Sequence, residues 1–251
     1  MPFPTTGVLD RFTNTNGTDL PAHSANWALP NLTGYFDLEI QGNQATGTLT
    51  DAFGIDYWTA NFGPNTEVFV TLAGLVNGTA MELFVRLREE TVLDALDGYV
   101  LDFTPAAGAD NDAVTHYRAD NNVYTQLGAV ITAELAAGAA LGLEVIGSTL
   151  QAYHRDVGGS WTVLDTTRTD TTYAAAGKIA LLTISTVVRF DDFGGGTVGV
   201  PERTKMGVGT YLRAVGASQV GRPATRRQWL GGMALLILPW ERWFGWIGRK
   251  R

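Results

Sequence analysis

The stretches TEVFVTLAGL (66–75) and MELFVRLREE (81–90) alternate apolar and polar residues with a period of two. An extended chain throws successive side chains to opposite faces, so each stretch is predicted to be a strand with one apolar face. The alternation puts Val68 and Val70 on one face of the first strand, and Leu83, Val85 and Leu87 on one face of the second. Asn77-Gly78 lies between them and predicts a hairpin, because both residues tolerate positive φ. Similar runs recur along the chain. They are YFDLEIQGNQATGTL (35–49) around a Gly-Asn turn, DGYVLDFTP (97–105), VYTQLGAVIT (123–132), ALGLEVIGSTLQAYHR (140–155), SWTVLDTTR (160–168) and GKIALLTISTVVRFDDF (177–193). No stretch has a convincing helical period. ITAELAAGAALGLEV (131–145) contains helix formers, but its glycines and the β run that follows predict a turn plus strand. The expected class is all-β, with two packed sheets.

Hydrophobic residues make up 45% of the 251 and charged residues 17%, so the chain can bury a core and is not disordered throughout. There is no cysteine, which excludes disulfide staples. MPFPTTGVLDRF has neither a basic n-region nor an apolar h-region, so no signal peptide is expected. Charge divides the chain. Residues 1–200 carry 8 Lys/Arg against 23 Asp/Glu, a net of −15. Residues 201–251 carry 10 against 2, a net of +8. The expected division is a body of residues 1–196 and an extended basic arm of residues 197–251.

The arm ends in RRQWLGGMALLILPWERWFGWIGRKR (226–251), with four of the seven tryptophans. Its uncharged run, Gln228 to Trp240, is shorter than the roughly 20 apolar residues that a spanning helix needs. Each buried Trp, Leu or Ile is worth about 1.5–3 kcal/mol, so this tail must be covered in the working state. Arg226, Arg227, Trp229, Leu235, Leu236, Ile237, Trp240, Trp243, Phe244 and Trp246 are the expected partner-binding residues. A neighbouring subunit is favoured over a membrane surface as the cover. Nucleic acid is disfavoured, because the arginines are interrupted by a long apolar run.

Chemistry-bearing motifs are few. There is no HExxH, GxSxG or P-loop, and FGGGTVG (193–199) lacks the Lys-Ser/Thr that would follow a phosphate loop. His23, His116 and His154 stand in unrelated segments. AGADNDAVTH (107–116) matches no calcium-loop spacing and reads as a solvated acidic loop. Glu82 and Glu144 have no carboxylate at catalytic spacing in sequence and read as solvent-facing strand residues.

Four phrases, in order, resemble concanavalin A-like lectin/glucanase domains of the laminin G-like jelly-roll branch. LDRFTNTNGTDLPAHSANW (9–27) carries Asp10-Arg11-Phe12, Asn16-Gly17 and Asn26-Trp27. DAFGIDYWTANFGPNTEVFVTL (51–72) has an aromatic strand and a Gly-Pro-Asn turn. LGLEVIGSTLQAYHRDVGGSWTVL (141–164) has the form of a hairpin followed by Trp-x-Val, and GKIALLTISTVVRFDDFGGG (177–196) that of a last strand ending in Asp-Asp-Phe. The resemblance covers about residues 7–196. It implies a two-sheet jelly-roll sandwich and a structural Ca2+ held by Asp10, Asp191 and Asp192 if the first and last strands pair. The Glu-x-Asp-x-x-Glu strand of the fold's hydrolases is absent, so no enzyme is expected. For glycan binding, Tyr57, Trp58, Tyr117, Tyr124 and Tyr153 are the available aromatics.

The expectation from sequence is therefore a non-enzymatic structural protein of a phage or virus particle, assembled in a host cytoplasm. Its arm would dock on other copies or other particle subunits, and its body could bind a host glycan. The alternative is a carbohydrate-binding module with a membrane-associating tail.

Overall fold

A computed structural model describes residues 2–108 and 111–199. The ten tail residues named above, from Arg226 to Trp246, lie outside these.

The described chain folds into two sheets, one of ten strands and one of nine, antiparallel except where Tyr35–Phe36 runs parallel to Phe53–Phe62, with a single short helix, Leu20–His23. The long strands of the ten-stranded sheet are Thr66–Gly74, Ala140–Ile146, Thr149–Arg155 and Arg189–Thr197. Those of the nine-stranded sheet are Phe53–Phe62, Met81–Arg88, Asp97–Thr104, Asp112–Asp120 and Gly177–Thr183. The last strand runs to Thr197, one residue past the expected boundary at 196.

Alternation builds the layer between the sheets. Val68, Val70 and Leu72 from one sheet meet Leu83, Val85, Tyr99, Leu101, Ile179 and Leu181 from the other. Trp27, Trp58 and Phe193 close one side of this layer, with Trp27 edge-on to Trp58 at 5.2 Å and tilted against Phe193 at 4.8 Å. The first strand, Val8–Asp10, pairs with the last, Val8 opposite Gly194 and Asp10 opposite Phe193.

Two local expectations fail for physical reasons. Asn77-Gly78 does form a turn, with Gly78 at φ +77°, but no hairpin. Thr66–Gly74 pairs with Ala140–Ile146 and Arg189–Thr197, whereas Met81–Arg88 pairs with Asp97–Thr104 and Gly177–Thr183. Each strand has two other neighbours, so the turn carries the chain from one sheet to the other.

Leu87 also leaves the face it was expected to share with Leu83 and Val85. Arg86 sits at φ +51°, and the register shifts beside it against both neighbouring strands. A bulge of this kind resets the period-two alternation. Leu87 therefore joins the cluster on the outer side of the nine-stranded sheet. Buried Arg86 donates to the carbonyls of Tyr173 (2.5 Å) and Gly147 (2.7 Å), which ties two loops to the bulge. Gly177 is needed opposite it. A Cβ there would stand 2.5 Å from the Arg86 carbonyl carbon.

Candidate functional site

The outer face of the nine-stranded sheet is not the polar, solvated surface that a simple sandwich predicts. Ile55, Tyr57, Phe84, Leu87, Val100, Ala180 and Leu182 form a second apolar cluster there, with Leu32 and Leu96 from two loops laid over it. The loops clasp each other. Asn31 N–H donates to the Glu90 carbonyl (2.7 Å), Asp94 N–H to the Asn31 carbonyl (2.9 Å), and the Asp94 carboxylate accepts from Thr33 N–H (2.6 Å). Tyr35, Tyr117 and Tyr124, half-buried, pack against the edge of this cluster.

Beside it stand two carboxyls. Glu82 lies opposite Asp102 on the adjacent strand, both on the outer face because their strand neighbours Leu83 and Leu101 point inward. Tyr124 donates its hydroxyl to Glu82 Oε2 at 2.8 Å. The Tyr117 and Tyr124 rings meet edge to face at 5.7 Å, and Asn122 Nδ2 reaches the Tyr35 hydroxyl at 3.5 Å. Burial, reinforced by the Asp102 charge, pushes the Glu82 carboxyl up to about 8, against the pull of the Tyr124 bond. Burial pushes Asp102 up to about 6. Near neutral pH the pair thus holds one proton, and the face presents a carboxyl donor next to a carboxylate acceptor.

Of the aromatics expected to meet a glycan, Tyr117 and Tyr124 share this face half-buried, and Tyr57 lies on the same side but is buried, at 8% exposure. Trp58 does not. It packs between the sheets and is 8% exposed. Tyr153 belongs to the other sheet, where its ring lies flat on Phe3. Glu82, Asp102 and Tyr35 were not expected at the site. Glu82 and Asp102 are 20 residues apart in sequence, and only the strand register brings them together. Glu144 is likewise half-buried and bonded to the Tyr153 hydroxyl at 3.2 Å.

The calcium site implied by the resemblance does not fit. The two Asp10 carboxylate oxygens accept from Phe12 N–H (2.7 Å), the Trp27 indole N–H (2.8 Å) and His23 Nε2 (3.1 Å). Asp192 pairs with Arg11 at 3.1 Å, and Asp191 accepts from Asp192 N–H at 2.7 Å. Among the described residues no group of three or more His, Asp or Glu is placed to hold a metal ion. Asp10 instead anchors the first strand to Trp27 and His23. Asp10 and His23 border an open pocket of ≈ 450 Å³ lined also by Leu9, Arg11, Thr13, Ser24, Asn26 and Trp58. No helix among the described residues is long and apolar enough to cross a membrane.

No family model and no curated protein matches the chain. Solved structures do match. The VIP36 exoplasmic/lumenal domain, in its Ca2+/Man-bound form, is 11% identical, with a TM-score of 0.53 over 74% of this chain and 90% of that one. The carbohydrate-binding module CBM66 from Bacillus subtilis is 16% identical, with a TM-score of 0.48 over 68% and 95%. LamAcat from Zobellia galactanivorans is 14% identical, with a TM-score of 0.48 over 76% and 97%. The fold is that of the concanavalin A-like jelly-roll sandwiches.

Proposed function

We propose that this concanavalin A-like sandwich is a carbohydrate-binding domain whose ligand lies on the outer face of the nine-stranded sheet. The fold serves binders and hydrolases alike and does not decide between them. The observation that carries the reading is the cluster of Glu82, Asp102, Tyr124, Tyr117 and Tyr35. A sugar offers apolar C–H faces, which suit tyrosine rings, and hydroxyls that both donate and accept. The protonated and ionised members of the carboxyl pair suit such hydroxyls. The face has little to offer a polyanion. Lys178, on the same face, is engaged by Glu90 and lies 4.8 Å from the Tyr57 ring centre. The particle-assembly role rests on residues 201–251, which lie outside the described residues; the likeness of the fold to a mannose-bound lectin-like domain favours the carbohydrate reading.

The test is calorimetric titration of the full chain with soluble glucan and mannan oligosaccharides. Tyr124→Ala and Glu82→Ala should each weaken binding at least tenfold. Affinity that survives both substitutions sinks the proposal.

One observation favours a second reading, glycoside hydrolysis. Cross-strand neighbours have Cβ atoms roughly 4.5–5.5 Å apart, and the two carboxyls hold their protons to different pH. That is the division expected of an acid and a base. Glu82 would protonate the leaving oxygen as the glycosidic C–O bond breaks. Asp102 would activate the water or attack the anomeric carbon. Release of reducing ends by the wild type, abolished in Glu82→Gln, would establish it.

A further inference from the structure

The outer face of the ten-stranded sheet repeats the same theme, but there the chain covers it with its own residues. Glu67 and Glu144 stand opposite each other on adjacent strands, as Glu82 and Asp102 do on the other sheet. A tyrosine again donates to one of them, Tyr153 to Glu144. Next to the pair the sheet has a ring-sized trough. Its floor is Gly142, which lies between Phe69 and Tyr153 on the flanking strands. The Phe69, Tyr153 and Trp161 rings wall it, and the Arg155 guanidinium lies 5.3 Å from the Trp161 ring centre.

Residues 3–6 fill this trough. The Phe3 ring stacks on Tyr153 with centres 4.1 Å apart and planes 1° from parallel, and meets Trp161 edge-on at 4.9 Å. A Cβ on Gly142 would lie 2.4 Å from the Phe3 ring, so the glycine is what makes room. Glu67 Oε1 accepts four bonds, from the N–H and hydroxyl of Thr5 (2.7 and 3.2 Å) and of Thr6 (2.5 and 2.6 Å). Glu67 Oε2 is buried without a partner. In sum, a flat six-membered ring lies on an aromatic platform, and adjacent hydroxyls point into a carboxylate. A pyranose makes the same two kinds of contact.

We propose that the Gly142 trough is a second saccharide site, specific for a single pyranose ring with free neighbouring hydroxyls, and that residues 3–6 occupy it as a built-in competitor. The inference takes its ligand class from the reading above but uses a different face, so the two can fail separately. The strap joins the first strand through Gly7, whose carbonyl accepts from Gly195 N–H at 3.4 Å, and none of its side chains belongs to the layer between the sheets. It can lift without disturbing the layer between the sheets. A site closed most of the time binds more weakly in proportion to its open fraction.

The experiment uses the full chain, with and without Phe3→Ala/Thr5→Ala/Thr6→Ala, titrated calorimetrically with cellohexaose, laminarihexaose and mannohexaose. The strap variant should take up one more equivalent of at least one sugar than the wild type. Adding Trp161→Ala should remove that equivalent, and Tyr124→Ala should leave it. A peptide of sequence PFPTTGV should compete for it. Thermal melts verify that each variant is folded. Equal stoichiometry in wild type and strap variant overturns the proposal, as does an added equivalent that is indifferent to Trp161→Ala. If the wild type takes up no sugar and the strap variant takes up one, this site stands and the outer face of the nine-stranded sheet does not.

Discussion

Glu82 and Asp102 face each other across two antiparallel strands, with the Tyr124 hydroxyl 2.8 Å from Glu82 Oε2. The pair makes stability depend on pH in a definite direction. Both carboxyls titrate higher when folded, at about 8 and about 6, than in the unfolded chain. Between the unfolded and folded values the native state therefore holds more protons. The pair's contribution to stability is full below about pH 4 and is lost as pH rises through 6 and then 8. The melting temperature should fall between pH 6 and pH 9, with most of the loss between pH 6 and pH 8, where Glu82 gives up its proton. Glu82→Gln should flatten the profile. A stability that rises steadily over that interval contradicts the arrangement.

The Tyr124 bond favours the charged form of Glu82. Tyr124→Phe keeps the ring and removes the donor, so the Glu82 carboxyl should titrate higher still. Carboxyl-carbon NMR of the full chain would read the shift directly. A downward move would show that the hydroxyl does not act on Glu82.

Arg86 offers a stability test away from either face. Arg86→Met leaves the Tyr173 and Gly147 carbonyls without their donor and should cost about 2–4 kcal/mol in urea unfolding. Gly177→Ala drives a methyl into the Arg86 backbone and should cost at least as much. If both are neutral, the bulge is not a stability determinant.

Calcium should be without effect on the described domain. Asp10 already serves three protein donors, and Asp191 and Asp192 are not joined to it as a metal-binding group. Melting temperatures in millimolar Ca2+ and in chelator should agree within about 1 °C. A larger gain in Ca2+ would restore the site that the resemblance implies.

Strand-level alternation was legible in the sequence wherever the backbone stayed regular, as at Val68 and Val70. It failed at Leu87, because the positive φ of Arg86 is a tertiary accommodation, held by the Tyr173 and Gly147 carbonyls. The turn at Asn77-Gly78 was legible as a turn. Whether its strands pair was not, since that depends on what else each strand has for neighbours. The site shows the same limit. Tyr117 and Tyr124 were legible as aromatics, but Glu82 gains its meaning only from Asp102, and register between strands is not a local property.

The last strand of the described residues, Arg189–Thr197, is an interior member of its sheet, seated between Thr66–Gly74 and the short strand Ala45–Gly47 and also paired with Val8–Asp10. A ribosome adding roughly 5–20 residues per second reaches it about 6–23 s after it has passed Gly74. Until then Thr66–Gly74 has one hydrogen-bonding edge open, and Val8–Asp10 has no partner at all. The nascent chain is in effect an unfinished sheet waiting for its keystone. A premature stop before residue 189 would leave it so for good, with an apolar strand edge free to pair with whatever other chain is near.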